Sequence, residues 1–157
     1  MANRELSKAE WLSKAEAYCA RAEHCAEDVR RKLYEWKAPA DLFDEIEENL
    51  YSNDFINDSR FCNAYVHDKV EYQAWGRLKI KAGLQALQLP EKNIREALDT
   101  IDETKYLDNL HRLIEQYRPA SSDKTNGDKL LRFLLQRGFT YEDVQLIIRK
   151  KDTAADE

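Results

Sequence analysis

Lys32-Leu33-Tyr34-Glu35-Trp36-Lys37-Ala38-Pro39 recurs twice in the chain, as Gly83-Leu84-Gln85-Ala86-Leu87-Gln88-Leu89-Pro90 and as Phe133-Leu134-Leu135-Gln136-Arg137-Gly138-Phe139-Thr140. In each copy a leucine stands six residues before the closing Pro or Thr. An apolar residue follows four positions after it (Phe43, Ile94, Val144), and another three further on (Ile46, Ala97, Ile147). The copies are offset by 51 and 50 residues. Apolar positions three and four apart lie on one face of a helix. Thr140 is a good N-cap, Asp143 stands at its capping-box position, and Phe139 and Val144 have the spacing of a hydrophobic staple. A proline at or beside a helix start loses little, because that N–H has no helical partner. Each copy therefore reads as helix, tight turn, helix.

Outward from each copy lies one more amphipathic stretch. Residues 8–23 place Trp11, Ala15, Tyr18 and Ala22 at helical spacing. Residues 58–72 do the same with Phe61, Tyr65 and Val66, and 105–117 with Leu107, Leu110, Leu113, Ile114 and Tyr117. The expected fold is all-α: three tandem three-helix repeats forming an elongated, curved helical array. The expected units are 1–52, 53–102 and 103–151, followed by a disordered tail at 152–157. The Ser, Asp, Asn and Gly between Pro119 and Gly127 predict a mobile connector. From Arg77 onward, Ile80, Leu84 and Leu87 make one apolar stripe, and Leu78, Ala82 and Ala86 a second. Two stripes imply two packing neighbours for this helix.

Composition agrees with helices. The 157 residues include only 4 Gly and 3 Pro, and 35% are charged. The formal charge is −5, which argues against a protein that coats nucleic acid by bulk charge. The charge is uneven: −5 over residues 1–60, +1 over 61–101 and −1 over 102–157. An anion-binding surface has to be local. No apolar run approaches the length of a membrane span and no signal peptide is read at the start, so the expected location is the bacterial cytoplasm. Cys19, Cys25 and Cys62 have no framework spacing and are expected as reduced thiols.

Five stretches resemble the RecX family. Asn57-Asp58-Ser59-Arg60-Phe61-Cys62-Asn63-Ala64-Tyr65-Val66 is similar to its central signature, and Trp75-Gly76-Arg77-Leu78-Lys79-Ile80 to a Gly-x-x-x-Ile helix start. Leu87-Gln88-Leu89-Pro90 with Ile94-Arg95-Glu96-Ala97-Leu98 continues the match. Residues 129–144, around Arg137-Gly138-Phe139-Thr140, resemble the C-terminal Arg-Gly-Phe-Ser motif. Residues 21–33 resemble the N-terminal motif less closely, with Cys25 where a serine is usual. A thiol caps a helix poorly. The resemblance covers roughly residues 14–150. It implies tandem three-helix repeats that bind the RecA recombinase filament on single-stranded DNA. It also implies restraint of RecA's ATPase, recombinase and coprotease activities in DNA repair and the SOS response.

The candidate surface follows from charge. Lys69, Arg77, Lys79, Lys81, Lys92 and Arg95 face only Glu71 and Glu91 between residues 69 and 95, a local +4. With Arg132 and Arg137 they form the expected contact with the filament or its phosphates. Arg149, Lys150 and Lys151 read as dipole-favouring cations in a helix's last turn. Asp58, Arg60, Phe61, Trp75, Gly76, Gly138 and Phe139 read as mainly structural, with Asp58 an N-cap and Trp75-Gly76 a tight packing joint. Arg60 is free to pair with an acid of a neighbouring repeat. The acids between Asp41 and Glu48 oppose the stripe Leu42, Phe43, Ile46 and Leu50 and read as a solvated face. No phosphate loop, nucleophile elbow or metal-ligand spacing occurs, so the chain reads as no enzyme, without cofactor or metal, and monomeric when free. A helical-repeat adaptor for another protein shares this fold. A direct DNA-binding module is the third reading, with weak contact at most: the charge and Glu142-Asp143 at the start of the last helix oppose it.

Overall fold

The computed structural model describes residues 4–117 and 124–155, with side chains over 4–117 and 127–148. Among the described residues there are nine α-helices and no strand: α1 (Lys8–Arg21), α2 (Ala26–Glu35), α3 (Phe43–Ser52), α4 (Asp58–Gln73), α5 (Arg77–Ala86), α6 (Glu91–Leu98), α7 (Glu103–Tyr117), α8 (Lys124–Gln136) and α9 (Tyr141–Ala155). A single 3-10 turn, Ala40–Leu42, leads into α3. The fold is the all-α array of three-helix repeats. Within each triplet the first helix packs on the third: α1 on α3, α4 on α6, α7 on α9.

Of the expected connector, residues 119–123 lie outside the described residues, while 124–127 form the first turn of α8. Of the expected tail, residues 152–155 continue α9 and 156–157 lie outside the described residues. The side chains of Arg149, Lys150 and Lys151 also lie outside them.

Helix starts follow from local chemistry. Ser7 and Glu10 close a reciprocal capping box on α1: the Glu10 N–H donates to Ser7 Oγ at 3.2 Å and the Ser7 N–H to Glu10 Oε1 at 3.3 Å. Thr140 and Asp143 do the same for α9 at 3.0 and 3.1 Å. The cap of α4 is Asn57, whose Oδ1 accepts the Arg60 N–H at 2.9 Å, and not the Asp58 that the sequence favours. Asn and Asp cap equally well, so only the backbone could choose between neighbours. Asp58 instead accepts the Tyr51 hydroxyl at 2.7 Å.

Helix ends show the repeat most directly. Lys37, Gln88 and Gly138 all have positive φ (62°, 62° and 98°). After each, an N–H reaches back five residues to a carbonyl: Ala38 to Leu33, Leu89 to Leu84, Phe139 to Leu134, at 2.9, 3.2 and 3.1 Å. This is the left-handed C-terminal turn that satisfies the last carbonyls of a helix. Built three times, it turns the second helix of each repeat back onto the third. The repeat leucines Leu33, Leu84 and Leu134 are fully buried, as are Ile46, Ile94 and Ala97.

The buried residues fall into three clusters. One gathers Trp11, Ala15, Cys19, Val29, Leu33, Ile46, Leu50 and Ile56; the second runs from Phe61 to Ala97; the third from Tyr106 to Ile147. The clusters interlock at their edges. Cys25 of α2's cap is buried in the second cluster, and Ile101 packs against both the second and the third. Among the described residues the second apolar stripe of α5 has no such neighbour. Leu78 is 55% exposed and Ala82 and Ala86 are also on the surface, which corrects the expectation of two packed faces.

The joint between the second and third repeats is a backbone hook. The Gly76 N–H donates to Arg137 O at 2.7 Å, and the Leu78 N–H to Gly138 O at 3.1 Å. Between them the Arg77 N–H donates to the hydroxyl of buried Tyr106 at 3.0 Å. That hydroxyl in turn donates to Asp143 Oδ2 at 3.2 Å. Asn109, the only buried polar residue among those described, gives its amide to Val70 O at 2.8 Å. Arg137 also donates to Gln73 O. The approach leaves no room for side chains: a Cβ on Gly76 would sit 2.1 Å from Gly138 C, and one on Gly138 2.5 Å from Lys79 Cβ. The joint between the first and second repeats adds an arginine hub to the buried Cys25 contact. Arg60 binds Glu23, Asp54 and the carbonyls of Asp54 and Phe55.

Two outcomes are expected. Gly76→Ala forces backbone apart at the joint and should lower unfolding free energy by about 3 kcal/mol, at the upper end of overpacking costs, read from urea denaturation. Burial pushes the Cys19, Cys25 and Cys62 thiols from 9.0 up to about 11 each. An unfolded thiol ionises first, so their contribution to stability is complete below pH 9 and is lost as pH rises through about 11. A thiol-titrating disulfide at pH 8 should find no fast-reacting cysteine in the native protein and all three in denaturant; a fast native thiol contradicts this burial.

Candidate partner-binding surface

The eight cations expected to form one surface have different fates. Arg77 pairs with Glu103 and lies 4.1 Å above the Tyr106 ring, so it belongs to the inter-repeat joint. Lys81 meets Glu91 at 3.8 Å and Lys92 meets Glu96 at 4.0 Å. Arg137 spends its guanidinium on the Gln73 carbonyl and on the Phe133 ring, 5.6 Å away. Its Nε is buried with no hydrogen-bond partner. Among the described residues Lys69, Lys79, Arg95 and Arg132 form no ion pair, unlike Arg77, Lys81 and Lys92. The count over residues 69–95 could not include Glu96 and Glu103, which lie just beyond it. Folding brings Glu103 onto Arg77 and reduces the local excess.

What the fold does assemble is a pair of lysines around one indole. Lys69 Nζ lies 4.4 Å and Lys79 Nζ 4.3 Å from the Trp75 ring, and Lys69 is also 5.1 Å from the Tyr65 ring. Tyr65 meets Trp75 edge-on at 6.5 Å. Three elements supply these groups. Tyr65 and Lys69 are one turn apart on α4, Lys79 is on α5, and Trp75 is on the short link that follows the left-handed Ala74. Trp75 packs on the second cluster, as the sequence implies. That it also gathers Lys69 and Lys79 is not evident from the sequence. The signal is present as Tyr65, Lys69, Trp75 and Lys79 at close spacing, but only the turn at Ala74 decides that they converge. Gly83 makes room for the same group, since a Cβ there would lie 2.1 Å from the Tyr65 hydroxyl.

Arg60, Phe61, Gly76, Gly138 and Phe139 are structural in their contacts. Phe61 and Phe139 are buried, and Phe139 packs 5.2 Å from Tyr106. Burial pushes the Tyr106 hydroxyl well above the usual phenol range, which keeps it neutral and able to bridge Arg77 and Asp143. Nothing in the sequence signals that bridge, since Tyr106 and Asp143 are 37 residues apart.

The acidic face of α3 is partly paired. Arg30 binds Asp44 at 2.6 Å and Glu47 at 3.0 Å. Among the described residues no group of three His, Cys, Asp or Glu is placed to hold a metal ion. No described helix is long and apolar enough to cross a membrane.

The stretch 57–98, which is α4 to α6 with its cap, matches the family model for the second three-helix domain of RecX. Over 144 residues the chain is 23% identical to the regulatory protein RecX of Herminiimonas arsenicoxydans, covering 92% of this chain and 94% of that one. It is 35% identical over 101 residues to the regulatory protein RecX of Clostridium tetani. It spans only 46% of the Clostridium tetani protein and 52% of its Geobacillus kaustophilus relative. The crystal structure of RecX from Lactobacillus salivarius superposes with a TM-score of 0.76 at 22% identity, covering 93% of this chain and 97% of that one, a likeness of fold. The repeat period and these matches agree: the second repeat matches the second three-helix domain of RecX, and the chain as a whole is similar to regulatory proteins of the RecX family.

Proposed function

We propose that this chain is a non-enzymatic cytoplasmic regulator that binds the RecA nucleoprotein filament on single-stranded DNA and restrains its ATPase, strand exchange and coprotease activities. In this reading it is a monomer when free, with repeat boundaries near residues 52 and 102. It lies along the filament and touches more than one protomer. Repeats with small separate cores present extended surfaces, which suits a polymeric partner.

The observation that carries the reading is the similarity to RecX proteins combined with the Lys69–Trp75–Lys79 cluster in the repeat where the family match falls. Two ammonium groups held against an indole, neither within ion-pair distance of a described carboxylate, leave a local positive site on a chain of net charge −5. Such a site suits acidic groups of a protein partner or the phosphates within the filament. Arg95 and Arg132 are further exposed cations for the same contact. Arg77 is less suited to it, because its guanidinium is already committed to Glu103 and Tyr106.

The test is the ATPase rate of the cognate RecA on single-stranded DNA with this protein titrated from substoichiometric amounts. Inhibition well below one copy per RecA is expected. Lys69→Glu with Lys79→Glu should weaken inhibition about tenfold, a loss typical of two charge contacts, with helicity unchanged. Inhibition by the double variant equal to the unmodified protein removes the Trp75 cluster from the contact. No effect of the folded protein at excess removes the RecA reading and favours an adaptor for another protein.

A further inference from the structure

The first repeat carries a cavity of about 470 Å³ on a face that the Trp75 cluster does not use. Lys14, Tyr18 and Arg21 line it from α1, His24 from the α1–α2 turn, and Lys32 and Trp36 from the end of α2. Lys14, Tyr18 and Arg21 stand at i, i+4 and i+7, so one helix face presents cation, ring and cation. Tyr18 stacks on His24 with centroids 3.9 Å apart and meets Trp36 edge-on at 5.9 Å. Lys14 Nζ sits 4.4 Å from the Trp36 ring, and Lys32 Nζ 5.8 Å from both Tyr18 and Trp36.

The two carboxylates nearby are already engaged. Asp28 faces His24 at 3.4 Å and Glu35 faces Lys32 at 3.3 Å. Lys14 and Arg21 are exposed and have no carboxylate within ion-pair distance among the described residues. An unpaired lysine against the indole and an unpaired arginine on the same pocket wall, in a stretch of sixty residues with net charge −5, form a local exception to their surroundings.

We propose that this pocket binds a nucleotide unit, with the nucleobase stacked on Trp36 and the phosphate held by Lys14 and Arg21. A flat ring and an anion are the two features the lining can recognise together. Aromatic faces accept any base, and Lys and Arg accept phosphate. Lys14 now covers the indole through a weak cation–π contact. A base displaces it, and its ammonium moves from the ring to the phosphate, where the charge-assisted contact is stronger. Lys14 and Arg21 lie about two helical turns apart, so their long side chains can reach one phosphate or two adjacent ones. A groove beside Lys69 and Tyr65 in the second repeat has a cavity of only about 190 Å³ and is lined by Glu23 and Asp68. Trp75 and Lys79 do not line that groove, and its two acids disfavour phosphate within it. The proposal extends the filament reading, since single-stranded DNA supplies such units, but it does not require the recombinase.

The experiment is fluorescence anisotropy of the full chain with a labelled ten-thymidine oligonucleotide at low salt, with no RecA present. Saturable binding that weakens with salt is expected. Lys14→Glu with Arg21→Glu should weaken it at least about tenfold while circular dichroism stays unchanged, and Lys14→Gln with Arg21→Gln should weaken it less. An abasic strand of equal length should bind several-fold more weakly. Competition by thymidine monophosphate supports a free nucleotide as ligand; competition by strands alone supports single-stranded nucleic acid. The proposal is overturned by any of three results: no saturable binding of either probe, unchanged affinity in the double Glu variant, or equal binding of the abasic strand. Capture of a glutamate-rich peptide in place of both probes also overturns it, in favour of a carboxylate site. Each of these failures leaves the RecA ATPase result standing. Loss of ATPase inhibition alongside intact oligonucleotide binding removes the regulator reading alone.

Discussion

The first amides of α5 have no carbonyl of their own helix to bind, and the arrangement of the second and third repeats rests on how they are satisfied. The partners come from the far repeat: Arg137 O, Gly138 O and the Tyr106 hydroxyl. Unpaired N–H groups in a closing joint would oppose burial. Their pairing fixes where the α8–α9 turn must sit. It also fixes what cannot be there, since neither Gly76 nor Gly138 has space for a Cβ. From that one contact follow the burial of Tyr106, the position of Asp143 and the placement of Arg77 against Glu103.

The same turn ends the second helix of each repeat, yet only in the third does it carry glycine. Lys37 and Gln88 adopt φ of 62° with ordinary side chains. The left-handed conformation costs a non-glycine residue roughly 1–2 kcal/mol, and at these two turns the structure tolerates it. At Gly138 the Lys79 backbone and Cβ are within 2.5 Å of where a side chain would start. The glycine is therefore required by the approach of another repeat more than by the turn itself. Gly76 likewise permits the close approach that its place in the sequence suggests, although it caps α5 and does not lie inside a helix.

Charge behaves as locally here as backbone does. A window of sequence counts acids that are near in number. Folding counts those near in space, and Glu103 crosses from the third repeat to Arg77 while Glu23 crosses from the first to Arg60. Three cations without such partners lie over aromatic rings instead, Lys69 and Lys79 on Trp75 and Lys14 on Trp36. These pairings keep long side chains extended over apolar surface with the charge still facing water. The result is a few discrete positive sites on an acidic protein.

Period and burial pattern are written in the sequence. The leucine six residues ahead of each Pro or Thr predicts three helix–turn–helix units, and Leu33, Leu84 and Leu134 are fully buried. Thr140 with Asp143 marks the cap of α9 because capping depends on neighbours three residues apart. Tertiary structure alone decided the rest. Whether Asn57 or Asp58 caps α4 depends on backbone angles, since both side chains are able to cap. Whether Leu78, Ala82 and Ala86 are covered depends on which helices lie beside α5, and among the described residues none covers them. Whether a cation is free, paired or structural depends on contacts across 26 residues for Arg77 and Glu103, 37 for Arg60 and Glu23, and 64 for Arg137 and Gln73. Periodicity specifies which face of a helix is apolar; it carries no information about which distant residue meets that face.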